Sequence, residues 1–151
     1  MSVRSAPPVD DRDFVAAWGD PRRVCLHRPD FLSPPRREAV AVGLLEVEVG
    51  DGGLHRCFGN ARGAWAAAAV DGLQRIGATG TAATLRRAIA AVDPLPLPED
   101  RGERFDLLDR AAAAIGFTAM EDEFHAGTEG RMALLAARLR AAAPAATSDV
   151  A

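Results

Sequence analysis

Residues 44–92 decide the fold, because helical periodicity, glycine stops and a glycine–asparagine turn occur in one continuous run: LLEVEVGDGGLHRCFGNARGAWAAAAVDGLQRIGATGTAATLRRAIAAV. Gly77 favours a left-handed helix end there, and Thr81 is a candidate N-cap for a following helix. Apolar side chains on either side of Gly77 recur at the spacing of one helix face: Trp65, Ala69, Leu73 and Ile76, then Ala82, Leu85, Ile89 and Val92. The run therefore predicts two adjacent helices that pack against each other.

Helical spacing continues on both sides of this run. Upstream, residues 10–18 fit a short helix, and a longer one can open at Pro34 and Pro35, where a missing N–H costs little. We expect residues 50–53, which include three glycines, to end this longer helix. Further apolar stripes each predict a helix: Leu54 and Phe58; Phe105, Leu108, Ala112 and Ile115; Met120 and Phe124; Met132, Leu135 and Leu139.

Together these elements predict an all-α fold, a single compact domain of about six to seven helices, several of them short. The domain is expected to span residues 10–143, with flexible tails at 1–9 and 144–151. The proline-rich stretch 93–98 predicts a non-helical connector. The facing stripes predict one buried cluster: Phe58, Trp65, Leu73, Ile76, Leu85 and Ile89.

Composition excludes several classes of function. All 18 basic residues are arginine, so neither a P-loop lysine nor a Schiff-base lysine is present. A net charge of −3 is unfavourable for direct binding to nucleic acid or to an anionic membrane, and no apolar run approaches the length of a membrane span. Two cysteines are too few for a disulfide scaffold. These features predict a cytoplasmic protein, and no catalytic residue, cofactor or metal ligand is assigned.

Two cysteine–histidine pairs form the alternative hypothesis. Cys25 and His27, with His55 and Cys57, contain the sulfur and imidazole ligands that zinc prefers. Their spacing is unlike that of structural zinc sites, because residues two apart on a helix point about 200° apart. Buried thiols with partly exposed imidazoles are therefore favoured, and a metal-binding or catalytic protein is kept as the alternative.

Acidic residues concentrate towards the C-terminus. The charge balance is +2 over residues 1–37, which hold five acids and seven arginines, and −4 over residues 99–151, which hold ten acids and six arginines. The expected protein-binding acidic surface consists of Glu99, Asp100, Glu103, Asp106, Asp109, Glu121, Asp122 and Glu123. Solvated helix faces, with acids near helix N-termini, would give the same pattern without a partner.

The run from Gly52 to Gly63, followed by Leu73 to Ala78, resembles a bacterial domain of unknown function, that of the DNA-mimic proteins. Its pattern is a double glycine, an aromatic, an asparagine and a glycine, then a helix that ends in isoleucine–glycine–alanine. The matching residues are Gly52, Gly53, Phe58, Asn60, Gly63, Ile76, Gly77 and Ala78. The resemblance implies an all-α fold without known catalytic residues, and an acidic surface that imitates DNA towards a DNA-binding protein.

The sequence therefore predicts a non-enzymatic helical domain that binds another protein. The expected partner is an unidentified protein, with a DNA-binding regulator as the specific candidate from the resemblance. A homodimer is a further expectation. The double glycine is expected to be structural, with Gly52 or Gly53 at a positive φ that turns the chain.

Overall fold

The computed structural model describes residues 34–127 and 129–142. Within these residues the chain is all-α and contains no strand, as the sequence predicts. The elements are α1 (Pro34–Gly59), a 3-10 turn (Asn60–Gly63), α2 (Ala66–Ile76), α3 (Thr79–Val92), α4 (Arg101–Ile115), α5 (Phe117–Ala126) and α6 (Arg131–Ala142). No helix among the described residues is long and apolar enough to cross a bilayer.

Helix α1 is the central element, since α2, α4, α5 and α6 all pack against it. Val40, Ala41 and Val42 are consecutive and each is 0% exposed. Three consecutive helical residues point in three directions about 100° apart, so α1 is covered around its circumference at this level. The helix begins at Pro34, as predicted, and its helical conformation is broken at Gly52 and Gly53, within the predicted stop at residues 50–53. A second helical segment then runs to Gly59.

Small side chains allow α1 and α2 to approach closely. A Cβ added to Gly72 would lie 2.8 Å from the Glu38 carbonyl oxygen and 2.8 Å from Cγ2 of Val42. Three alanines on the same helix, Ala66, Ala68 and Ala69, are buried. Because packed carbon atoms do not approach this closely, even alanine at position 72 would force the two helices apart.

The predicted buried cluster is present, with two of its members nearer the surface. Trp65, Phe58, Leu73 and Leu85 are buried in the core, whereas the two isoleucines, Ile76 and Ile89, are half-buried and pack against it. Gly77 ends α2 with a φ of 89°, the left-handed conformation expected there. One prediction is wrong: Thr81 does not cap α3, which begins at Thr79.

Prolines and glycines divide the C-terminal half into separate helices. Residues 93–100 form a non-helical connector, Gly116 separates α4 from α5 with a φ of 69°, and α5 ends at Ala126 before Gly127. The apolar stripes of α4 to α6 are only partly buried. On α4, for example, Leu108 is buried whereas Ile115 is 37% exposed. The predicted helix at 10–18 and the predicted tails at 1–9 and 144–151 lie outside the described residues.

Candidate functional site

The double glycine produces a kink in α1. Gly53 has a φ of 70° and a ψ of −170°, a conformation that residues with a Cβ rarely adopt. The helix restarts after this break, and the first N–H groups of a helix have no carbonyl partner one turn earlier. The N–H of Leu54 donates instead to Oε1 of Glu121 on α5, at 2.7 Å. A carboxylate from a distant helix therefore caps the second half of α1.

Gly53→Ala is expected to lower the free energy of unfolding by about 2 to 3 kcal/mol. The new Cβ would be strained at this φ, and it would overlap the Glu121 carboxylate that caps Leu54. Urea unfolding followed by circular dichroism measures the loss. Gly50→Ala is the matched control, because Gly50 is helical and nothing lies within 4 Å of its added Cβ. A variant at position 53 as stable as this control would contradict the predicted strain.

A second carboxylate reaches α1 one residue further along. Asp109 Oδ1 on α4 lies 2.7 Å from Nε2 of His55, and since an ionised carboxylate only accepts, this nitrogen carries the donated hydrogen. The imidazole stacks on Phe105, with ring centroids 5.3 Å apart. The guanidinium of Arg101 lies 5.2 Å from the centroid of the same phenyl ring. The imidazole is thus held at the surface between an aromatic ring and an acid.

These contacts bring Asp109 of α4 and Glu121 of α5 beside neighbouring residues of α1. We call the patch formed by them, by His55 and by the nearby acids of the same two helices the kink surface: His55, Asp106, Asp109, Glu121 and Asp122. Asp106 lies one turn before Asp109, and Asp122 follows Glu121. The Asp109 side chain remains 72% exposed despite its contact with His55. Within the described part of the chain, neither a hydrogen bond nor an ion pair engages the carboxylates of Asp106 and Asp122, and both residues are exposed.

The remaining predicted surface acids have other positions. Asp100 caps α4 by accepting from the backbone N–H of Glu103 at 2.9 Å. Asp100 therefore lies at the start of α4, about 14 Å along the helix axis from Asp109, and Glu103 lies about 9 Å from it. Glu123 faces the opposite side of α5 from Glu121 and accepts from Thr84 and Arg87 of α3. The predicted single acidic surface is accordingly divided, and only its central part belongs to the kink surface.

A partly buried ion pair that the sequence did not reveal joins α6 to α1. Arg131 of α6 donates to the Glu46 carboxylate and, at 2.8 Å, to the Phe124 carbonyl oxygen. Its guanidinium carbon also lies 3.8 Å from the centroid of the Phe124 ring. The Arg131 side chain is only 10% exposed and that of Glu46 21%.

Glu129 occupies the N-terminus of α3. Its carboxylate accepts from the backbone N–H groups of Gly80 at 2.7 Å and Thr81 at 3.1 Å, and from the Thr81 hydroxyl at 2.7 Å. The two backbone N–H groups belong to the first turn of the helix, where N–H groups have no partner within the helix and attract an anion. Thr81 is thus a donor to the capping acid instead of the cap itself.

The stability contributed by Glu129 is expected to depend on pH. The Thr81 hydroxyl, the Gly80 and Thr81 amides and nearby Arg131 lower the pKa of Glu129 below its ordinary 4.5. Since the folded-state pKa is the lower one, the contribution is complete above about 4.5 and is lost as the pH falls through the folded value. Glu129→Gln should cost about 1 kcal/mol at neutral pH, as for a lost helix cap, and progressively less in acid. Urea midpoints between about pH 3 and 7 measure the difference, and a pH-independent difference would contradict this assignment.

Of the two cysteine–histidine pairs, only His55 and Cys57 lie among the described residues. His55 is engaged by Asp109, and burial, followed by the negative charge of Glu48, raises the pKa of the half-buried Cys57 thiol to about 12. Such a thiol resists the deprotonation that metal binding requires. No group of three or more metal-binding side chains occurs in residues 34–127 and 129–142. Cys25 and His27 lie outside these residues, so the zinc hypothesis stays a prediction.

The fold and the kink surface define a small all-α protein with carboxylates displayed beside a helix break. The chain belongs to the DMP19-like protein family, whose model matches residues 30–142. This match contains the double glycine, Asn60, Gly63 and Gly77, the motif residues on which the resemblance rests. No curated protein and no solved structure matches the chain.

Proposed function

We propose that this protein is a non-enzymatic interaction domain that imitates DNA towards a basic surface of a DNA-binding regulator. The observation that carries the proposal is the kink surface, where carboxylates from α4 and α5 lie beside residues 54 and 55 of α1. Membership of the DMP19-like family supports it, because DNA mimicry is the role that the resemblance implies.

We expect the partner to contact a small area of this protein that contains few charged groups. Duplex DNA carries about one charge per 1.7 Å of its axis, which a chain of net charge −3 does not reproduce over its whole surface. Side chains one turn apart on a helix have Cβ atoms about 5 to 6 Å apart, so Asp106 and Asp109 can present two neighbouring negative groups to an arginine-rich segment. We therefore expect binding to weaken with salt, but less steeply than for a long DNA contact.

Replacement of the unengaged acids tests the kink surface. The double variant Asp106→Asn/Asp122→Asn should bind the regulator about tenfold more weakly at low salt, mainly through slower association, because two exposed charges attract a basic surface at long range. The regulator is first identified by pull-down from the native host. Association rates and Kd are then measured at about 50 and 200 mM salt.

The double variant Asp71→Asn/Asp93→Asn is the charge-matched control. Both residues are exposed and belong to α2 and the connector after α3, away from the contacts that define the kink surface. If both double variants weaken binding equally, net charge alone is responsible and the kink surface is not the binding site. Glu121 and Glu123 are unsuitable targets, because Glu121 caps α1 and Glu123 accepts from Thr84 and Arg87.

A further inference from the structure

Two consecutive residues of α1 are joined to two different helices. The Leu54 N–H donates to Oε1 of Glu121 on α5 at 2.7 Å, and Nε2 of His55 lies 2.7 Å from Oδ1 of Asp109 on α4. In the chain itself, only Gly116 separates α4 from α5. The two contacts with α1 therefore determine how the acids of α4 and the acids of α5 lie relative to each other at the kink surface.

The Glu121 carboxylate differs from its neighbours in being enclosed. Glu121 is half-buried, whereas the next residue, Asp122, is exposed. The carboxylate lies over Gly53, where an added Cβ would overlap it, so the missing side chain of this glycine provides the space. Beneath it, α5 is anchored in the core by three buried side chains: Phe117, Met120 and Phe124. One oxygen of Glu121 is thus already committed to the backbone of α1.

We infer that Glu121 is a positioning residue, which holds α5 against the kink so that the acids of α4 and α5 have a fixed spacing, and which does not itself contact the basic partner. The inference rests on the proposed function and deepens it, because a fixed spacing favours one kind of partner. Arginines held in place by a folded partner lose less conformational entropy on binding than arginines of a flexible chain. The preferred partner therefore presents its arginines on a folded helix, where residues one turn apart match the spacing of Asp106 and Asp109.

Two synthetic peptides with blocked termini and equal numbers of arginines are the probes. In the helical peptide the arginines lie one turn apart in an alanine-rich sequence, and in the flexible peptide glycine and serine replace the alanines. Calorimetry measures both Kd values for the full chain at about 0.15 M salt, where a screening length of about 8 Å weakens the effect of distant charges. We define selectivity as the Kd of the flexible peptide divided by that of the helical peptide, and expect about five for the wild-type chain.

Two conservative variants separate the position of the side chain from its charge. Glu121→Gln keeps an oxygen that can accept from the Leu54 N–H but removes the charge, and should retain the wild-type selectivity within about 1.5-fold. Glu121→Asp keeps the charge but withdraws the carboxylate out of hydrogen-bond distance of this N–H, and should lower the selectivity to less than about two. Glu103→Asp is the matched control, because it makes the same shortening at an exposed glutamate of α4 outside the kink surface, and it should retain the wild-type selectivity.

The outcomes separate the two proposals. Selectivity that survives in Glu121→Asp, or that is lost in Glu121→Gln, would overturn the positioning role. Equal affinity of the wild-type chain for the two peptides would also overturn it and leave the proposed function standing. Absence of binding to either peptide would overturn the proposed interaction with basic segments together with this inference. If circular dichroism shows that Glu121→Asp is unfolded, Glu121→Gln decides alone, since retained selectivity supports the positioning role and lost selectivity overturns it.

Discussion

Arg131→Ala is expected to lower the free energy of unfolding by about 3 to 5 kcal/mol, because it leaves the half-buried carboxylate of Glu46 without its cation. The variant also loses the hydrogen bond to the Phe124 carbonyl oxygen and the contact with the Phe124 ring. The free energy of unfolding of a domain is commonly about 5 to 15 kcal/mol, so this loss is a large part of the total. Urea unfolding followed by circular dichroism provides the measurement.

Two further variants separate the ion pair from a general effect on α6. Arg138→Ala removes an exposed arginine from the same helix and should change stability by less than about 0.5 kcal/mol. The double variant Glu46→Leu/Arg131→Leu should be more stable than Arg131→Ala, because neither charge remains buried alone. A loss below about 1 kcal/mol in Arg131→Ala would show that water replaces the guanidinium at Glu46.

Trp65→Ala is expected to lower the free energy of unfolding by about 3 to 5 kcal/mol. Trp65 is 7% exposed and belongs to the same core as Phe58, Leu73 and Leu85. The core contains many alanines and few large side chains, so neighbouring residues cannot fill the space that the indole leaves. The measurement is again urea unfolding, at a temperature where the wild-type protein is fully folded.

Ile115→Ala is the control for Trp65, because Ile115 is 37% exposed and its truncation should cost less than about 1 kcal/mol. Equal losses in the two variants would show that Trp65 is no more important to packing than a surface isoleucine. In that case the indole would be available for contact with a partner, as tryptophan often is at interfaces.

The kink surface was only partly predictable. The charge balance identified the acids of α4 and α5, and the double glycine indicated a turn with a positive φ, which is present at Gly53. Nothing in the sequence related these two features, because Leu54 and Glu121 are 67 residues apart. The same distance explains why Glu121 was grouped with exposed acids, although its carboxylate is committed to the backbone of α1.

Sequence alone determined the helical class, the two apolar stripes around Gly77 and the ends of α2 and α4, since periodicity and glycine conformation act within a few residues. Tertiary structure decided which polar groups meet. Arg131 pairs with Glu46, which lies 85 residues earlier in the chain. Glu129 caps the N-terminus of α3, for which Thr81 was the local candidate. An apolar stripe specifies which face of a helix is buried, but the neighbour it meets depends on how all the helices pack. The partners of buried charges and helix ends are therefore fixed only in the assembled fold.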